Sequence, residues 1–324
     1  MKKSISLFIA AAMAAGCLSV CCSGHDAAAA ENDHFRIVTT IFPEYDWVMN
    51  ILGENPADVE VTMLLDNGVD LHSFQPTVDD ILTISTCDMF VYVGGESDAW
   101  IEDVLREAEN KDMIVVSLLE AAGDLTREEE TVEGMQEEEG HEETAADEHV
   151  WLSLRNASAL VSLLSESVQS LDPDNAGTYR SNTDAYLEKL HALDEEYLTA
   201  VQEASFHTLL FGDRFPFRYL ADDYGLDYYA AFAGCSAETE ASFETITFLA
   251  EKADDLALPA VMTIEGADRR IAETIVQTTQ AKDQQILTMD SMQATTSEDI
   301  QNGTTYLSIM EKNLSVLTEA LQEK

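Results

Sequence analysis

DPDNAGTYRSNTDAYLEKLHALDEEYLTAVQEA, residues 172–204, organises the reading of the whole chain. Leu187, Leu190, Leu193, Tyr197 and Val201 recur at steps of three and four, so one apolar stripe runs along a helix from Asn175 to about Ala204. Asp172 or Asp174 is placed to cap its start. A helix of about 30 residues spans about 45 Å. A rod of that length at 172–206, in the middle of the chain, predicts two bodies joined stiffly rather than by a loose hinge.

On both sides of this rod, short hydrophobic bursts alternate with longer segments of helical period. Before it, the strand candidates are Phe35–Thr40, Val59–Leu65, Met89–Val93 and Met113–Leu118. After it, they are Thr208–Phe211, Asp227–Phe232, Ala260–Ile264 and Gln285–Met289. They are rich in Val, Ile, Tyr and Phe, and Asp, Gly or Pro punctuate them. Helices are expected between them, such as Trp100–Asn110 and Phe243–Asp255, and at Asn156–Leu171 just before the rod. Strand–helix alternation implies parallel sheets covered by helices. The expected fold is therefore α/β: two (β/α) lobes, at 34–171 and 207–324, each with a parallel four-stranded sheet, joined by the long rigid helix.

The charge balance is far from average. Seventeen basic residues stand against 62 acidic ones, for a net charge of −45. Such a surface repels nucleic acid and attracts cations. Eleven of the 21 residues from Glu128 to Glu148 are acidic, with His141 among them, and 127–148 reads as a disordered surface loop of the first lobe.

The N-terminus reads as an export signal over 1–16: Lys2 and Lys3, then an apolar run from Leu7 to Gly16 too short to span a membrane. Ala14-Ala15-Gly16-Cys17 resembles a lipobox, which makes Cys17 the lipidation site and 17–33 a flexible tether. The alternative is an ordinary secretory cut in the Ala-rich stretch Ala27–Ala30. Cys87 and Cys235 are the cysteines of the remaining body; there is no Cys-x-x-Cys, and their separation gives no evidence for a bond between them.

Two histidines stand in unusual settings. His72 lies in Gly68-Val69-Asp70-Leu71-His72-Ser73-Phe74-Gln75-Pro76-Thr77, directly after the strand Val59–Leu65, and His149 lies in Asp147-Glu148-His149-Val150-Trp151-Leu152. In parallel sheets, ligands collect beyond the strand C-termini, where His72 falls. His34, His191 and His207 have no such setting.

The segment Gly68–Thr77 resembles the signature of the ABC-importer solute-binding lipoproteins that capture zinc or manganese, and of their zinc branch in particular. The resemblance extends through Ile37–Pro43, Val91–Glu96 with Trp100, Asp147–Leu152, Asp172–Asn175 with Tyr179, Asn182, Tyr186 and Leu190, Ala237–Ser242, and Thr305–Leu307 with Asn313 and Leu314. It implies one metal held between the lobes, with His72 and His149 as first-lobe ligands and Asp290, at the end of the strand Gln285–Met289, as a second-lobe ligand. Two imidazoles with carboxylate oxygen suit zinc and tolerate manganese.

The family's remaining ligand position, His or Glu before Phe-x-Tyr, falls on Arg214, which has no lone pair to give. Asp213 is the favoured substitute; Glu240, Glu265, water or chloride are the alternatives, and an Asp213–Arg214 ion pair is the non-ligand reading. The family's members work with an ABC permease and its ATPase, outside the cytoplasm. The expectation is a monomer anchored by lipid to a Gram-positive surface rather than free in a periplasm. An extracellular metallohydrolase is the competing class, but no His-Glu-x-x-His is present. Nothing in the residues points to a surface adhesin as a primary role.

Overall fold

Among the described residues, eight strands form two sheets of four, and every strand pairing within them is parallel. The structure, a computed structural model, describes residues 35–53, 59–136, 145–236 and 240–323. The first lobe runs β1 Phe35–Thr39, α1 Phe42–Leu52, β2 Val59–Met63, α2 Val78–Thr86, β3 Met89–Tyr92, α3 Ile101–Glu107, β4 Ile114–Ser117 and α4 Leu118–Ala122. Two long helices follow, α5 Leu154–Leu171 and α6 Ala176–Gln202. The second lobe contains β5 Thr208–Phe215, α7 Arg218–Tyr224, β6 Asp227–Ala233, α8 Phe243–Asp255, β7 Ala260–Ile264, α9 Arg270–Thr278, β8 Gln285–Met289, α10 Ser297–Gln301 and α11 Tyr306–Ala320.

The strand orders are β2-β1-β3-β4 and β6-β5-β7-β8, the same winding twice. In each sheet the order reverses at its first strand, which opens a crevice at the strand C-termini. The central strands β3 and β7 are almost wholly buried, and β1 is buried from Ile37 on, because helices cover the sheets, which is why they read as apolar runs. Side chains start the covering helices: Thr77 and Asp80 form a reciprocal cap on α2, and the Ser242 hydroxyl accepts the Thr245 N–H at the start of α8.

Strand β5 continues to Phe215, four residues past its expected end. Its register against β6 shifts between Phe211 and Arg214. At Gly212, α9 comes so close that a Cβ would lie 2.6 Å from the Ala272 Cα. The extension stays paired with β6 at Arg214 and Phe215, and the Arg214 side chain reaches Asp70 of the first lobe.

The rod expected at 172–206 is α6, preceded by a 3-10 turn at Pro173–Asn175. It buries Tyr179, Thr183, Tyr186, Leu190, Leu193, Tyr197 and Val201. It does not hold the lobes apart. Asn182 Nδ2 donates to Ile51 O at 3.0 Å and Tyr186 OH to Asp46 Oδ2 at 3.2 Å, both on α1. Farther along, Tyr197 OH donates to Met310 O on α11 at 2.7 Å. Trp47 of α1 meets Tyr306 of α11 edge-on at 5.3 Å, so one apolar core runs through both lobes.

The acidic stretch 127–148 departs from the expected disordered loop at both its ends. Glu128 bridges Ala146, Gln136 N–H donates to Ala231 O at 3.0 Å, and Met135 is buried. Gly134 lies against Phe248 so closely that any Cβ would overlap the ring. Val132 and Met135 supply the apolar grip that the count of carboxylates conceals. His141 lies outside the described residues. Among the described residues, no helix is long and apolar enough to cross a membrane.

A candidate metal centre between the lobes

His72 sits in a 3-10 turn, Leu71–Ser73, beyond the C-terminus of β2. Asp70 caps that turn, its Oδ1 accepting the His72 N–H at 2.9 Å, and Leu71 anchors it in the core. His149 directly precedes a second 3-10 turn, Val150–Leu152, whose three side chains are all buried. The His149 side chain itself has no exposure. The two imidazoles, 77 residues apart in sequence, bring Nε2 to Nε2 at 3.2 Å.

Their outer nitrogens decide what the inner ones can do. His149 Nδ1 lies 2.9 Å from Asp147 Oδ1. A carboxylate only accepts, so Nδ1 carries the proton and Nε2 a lone pair. Burial works against a charged His149 ring, yet Asp147 outweighs it and raises the pKa. His72 Nδ1 lies 2.8 Å from Ser97 Oγ and 3.4 Å from Glu148 Oε2. Burial opposes the Glu148 charge, but hydrogen bonding and charge from His72 hold its pKa below the usual range.

Each histidine is thus backed by one of two adjacent acids. Gly95 makes room for this: it adopts φ +84, and a Cβ there would stand 2.4 Å from Glu148 Oε1. Ser97 N–H donates to that same Oε1 at 2.9 Å. The two Nε2 atoms face each other at 3.2 Å, close enough to share a proton or to flank a cation. Two zinc–nitrogen bonds of about 2.05 Å at a tetrahedral angle would hold their nitrogens about 3.3 Å apart. The observed 3.2 Å fits that edge.

The second lobe presents a different set. The Arg214 guanidinium crosses the cleft and donates from Nη2 to Asp70 Oδ2 at 2.7 Å, while Nη1 donates to Ser236 O at 3.3 Å. The Asp213 carboxylate accepts the Arg214 N–H at 2.9 Å and the Ile264 N–H at 3.2 Å. Arg214 therefore pairs with Asp70 rather than with Asp213. Asp290 follows β8; Asn313 clamps its backbone and its Oδ1 accepts the Met292 N–H at 2.8 Å. The Glu265 carboxylate accepts from Ser291 and Gln293. Burial pushes both Asp290 and Glu265 up in pKa, Glu265 further through the Asp290 charge.

Among the described residues, the donor atoms of His72, His149 and Cys235 lie within 4.8 Å of one another. Asp213 and Asp290 stand outside that group. Cys235 and Cys87 are both free, so no disulfide joins them. Three residues with a place at the site escaped the sequence reading: Cys235, weighed only as a disulfide partner, and Asp147 and Glu148, counted into an acidic loop. The signal for Cys235 was its position just past the C-terminus of a second-lobe strand. The site opens on a cleft of about 620 Å³ lined by Asp70, His72, Asp213, Arg214, Ser236 and Glu265 among others.

A family model described as "Zinc-uptake complex component A periplasmic" matches residues 37–320. The zinc-binding lipoprotein AdcA of Streptococcus pneumoniae is 31% identical over 329 residues, covering 99% of this chain and 62% of the relative. The chain thus spans less than two thirds of the length of that relative. The high-affinity zinc uptake system protein ZnuA of Bacillus subtilis is 28% identical over 326 residues, covering 100% of this chain and 99% of the relative. The crystal structure of the Zn(II)-bound ZnuA-like domain of S. pneumoniae AdcA superposes with a TM-score of 0.70 at 28% identity, covering 89% of this chain and 99% of that one.

Proposed function

Because the chain belongs to the zinc-uptake complex component A family, we propose that it captures one zinc ion between its lobes and delivers it to an ABC permease driven by its ATPase. The observation that supports this reading best is the histidine pair. His72 and His149 aim Nε2 at a shared point 3.2 Å across, and each ring is held by a buried acid. Zinc is cargo here, so the protein's task is to bind it with a closed shell and then release it; a catalytic metal would keep a position open for water.

In this reading His72 and His149 are the first-lobe ligands and Asp290 is the second-lobe carboxylate. Asp213 is the weaker choice, because both its oxygens already accept backbone N–H groups. Cys17 carries the lipid anchor, which keeps the chain on the outer face of a membrane. The charge of −45 raises the local concentration of cations around the cleft. Manganese is the alternative cargo, and the carboxylate of Asp290 is the donor that would suit it.

Titration of the purified, chelator-stripped chain with zinc and manganese in competition tests this. One tight zinc equivalent, lost in His72→Ala with the fold retained, is the expected result. A wild-type chain with no tight site for either metal refutes the reading.

A further inference from the structure

The second lobe of this metal centre departs from its family at Arg214, and the same lobe carries a donor that nothing in the family's ligand pattern contains. We infer that Cys235 is a zinc ligand, its thiolate completing a His72–His149–Cys235 triad that selects zinc over manganese. The inference rests on the reading of this site as a metal-capture centre.

The geometry carries it. Sγ of Cys235 and the ring nitrogens of both histidines lie within 4.8 Å of one another. Cys235 belongs to the turn after β6, at the edge of the second sheet that borders the cleft. Gly234 lets that turn press against the histidine: a Cβ there would lie 3.1 Å from His149 Cε1 and 3.0 Å from Phe215 O. Two contacts hold the turn in place. Cys235 N–H donates to Glu129 Oε1 at 2.9 Å, and Arg214 Nη1 donates to the carbonyl of the next residue, Ser236, at 3.3 Å.

Arg214 thus acts as a positioning residue. It bonds the carbonyl beside Cys235 on one side of the cleft and Asp70, two residues before His72, on the other. The arginine that cannot ligate holds together the two segments that can.

The donor chemistry sets the preference. Thiolate is a soft ligand and binds zinc strongly, at about 2.3 Å. Manganese favours carboxylate, carbonyl and water oxygens. On binding, the thiol proton is displaced to solvent and its sulfur lone pair forms the metal–sulfur bond, with no change of oxidation state.

Cobalt(II) gives the test, because a cobalt–thiolate bond adds a near-ultraviolet charge-transfer band to the visible ligand-field bands. The purified full chain should take up one cobalt equivalent with that band. Cys235→Ser should lose the band, keep the ligand-field bands that report His72 and His149, and keep its thermal transition. Its zinc affinity should fall at least about tenfold, while manganese affinity shifts less than about threefold. Cobalt bound without the band in the wild type, or a band that survives in Cys235→Ser, overturns the thiolate and leaves metal capture standing. A wild-type chain that binds neither cobalt nor zinc overturns metal capture itself. Should Cys235→Ser fail to fold, Cys235→Ala repeats the comparison.

Discussion

The two sides of the cleft are built on different plans. On the first-lobe side, every donor is backed: Asp147 holds His149, and Ser97 with Glu148 holds His72. On the second-lobe side, side chains are spent on backbone and on the opposite wall. Asp213 accepts two N–H groups, Asn313 clamps Asp290, and Arg214 reaches across to Asp70. The two lobes share strand order and direction, so their sheets do not explain the difference. What differs is the loops at the strand ends. The comparison teaches that one wall is a preorganised pair of donors, while the other supplies closure and aims a single turn, Gly234-Cys235, at that pair.

The largest expected effect tests the preorganised wall directly. His149→Ala, measured by competition against a chelator of known zinc affinity, should weaken zinc binding by more than about a hundredfold without altering the circular dichroism. An unchanged affinity would mean that this wall does not hold the metal.

Next comes the backing. Asp147→Asn keeps the shape but replaces the acceptor that keeps the proton on Nδ1, and zinc affinity should drop about 10- to 100-fold. An affinity unchanged in Asp147→Asn would mean that this acid does not set the His149 ring.

A third effect concerns stability. Burial, then the charge of Asp98, raises Glu44 from its ordinary 4.5 to about 8, and burial raises Asp98 to about 7. Both lie in the first lobe. A raised acid keeps its proton in the folded state after the unfolded chain has released it. Its stabilising contribution is therefore full below about pH 4.5 and is lost as pH rises through the window to about 8. Each such group contributes a slope of up to roughly 1.4 kcal/mol per pH unit. Urea unfolding between pH 5 and 8 should show stability falling with pH, and Glu44→Gln should flatten that slope. A slope unchanged in Glu44→Gln would place the buried protons elsewhere.

The smallest effect is on the second wall. Asp213→Asn keeps one of the two acceptors for backbone N–H groups and should change zinc affinity less than about threefold. A larger loss would return Asp213 to the metal shell and shrink the role of Cys235.

The legible parts were those where one chemical need dominates a local segment. Ala260–Ile264 is a fully buried strand whose apolar run shows its bounds, Gln285–Met289 is a half-buried one with the bounds expected, and the tyrosines and leucines of α6 mark its buried face. His72 stood out because it falls beyond the end of a parallel strand, and His149 because Asp147–Leu152 resembles the family's second ligand motif. Asp147 and Glu148 did not stand out, because a buried acid and a solvated one look alike among eleven carboxylates. Only the fold shows that these two are nearly unexposed and face histidines.

Arg214 marks the boundary between the two kinds of knowledge. Its chemistry alone excludes it as a ligand, and so the sequence by itself left the second lobe's donor open among Asp213, Glu240, Glu265, water and chloride. The sequence also determined the alternation of strands and helices, because burial on both faces demands apolar runs of fixed period. Which donor atoms stand near the two imidazoles was decided by tertiary structure. The register shift in β5, the close fit of Gly234 on His149 and the approach of two segments 86 residues apart depend on how separate elements pack. Local composition holds no record of those distances, since a ligand shell is a property of positions in space rather than of neighbours along the chain.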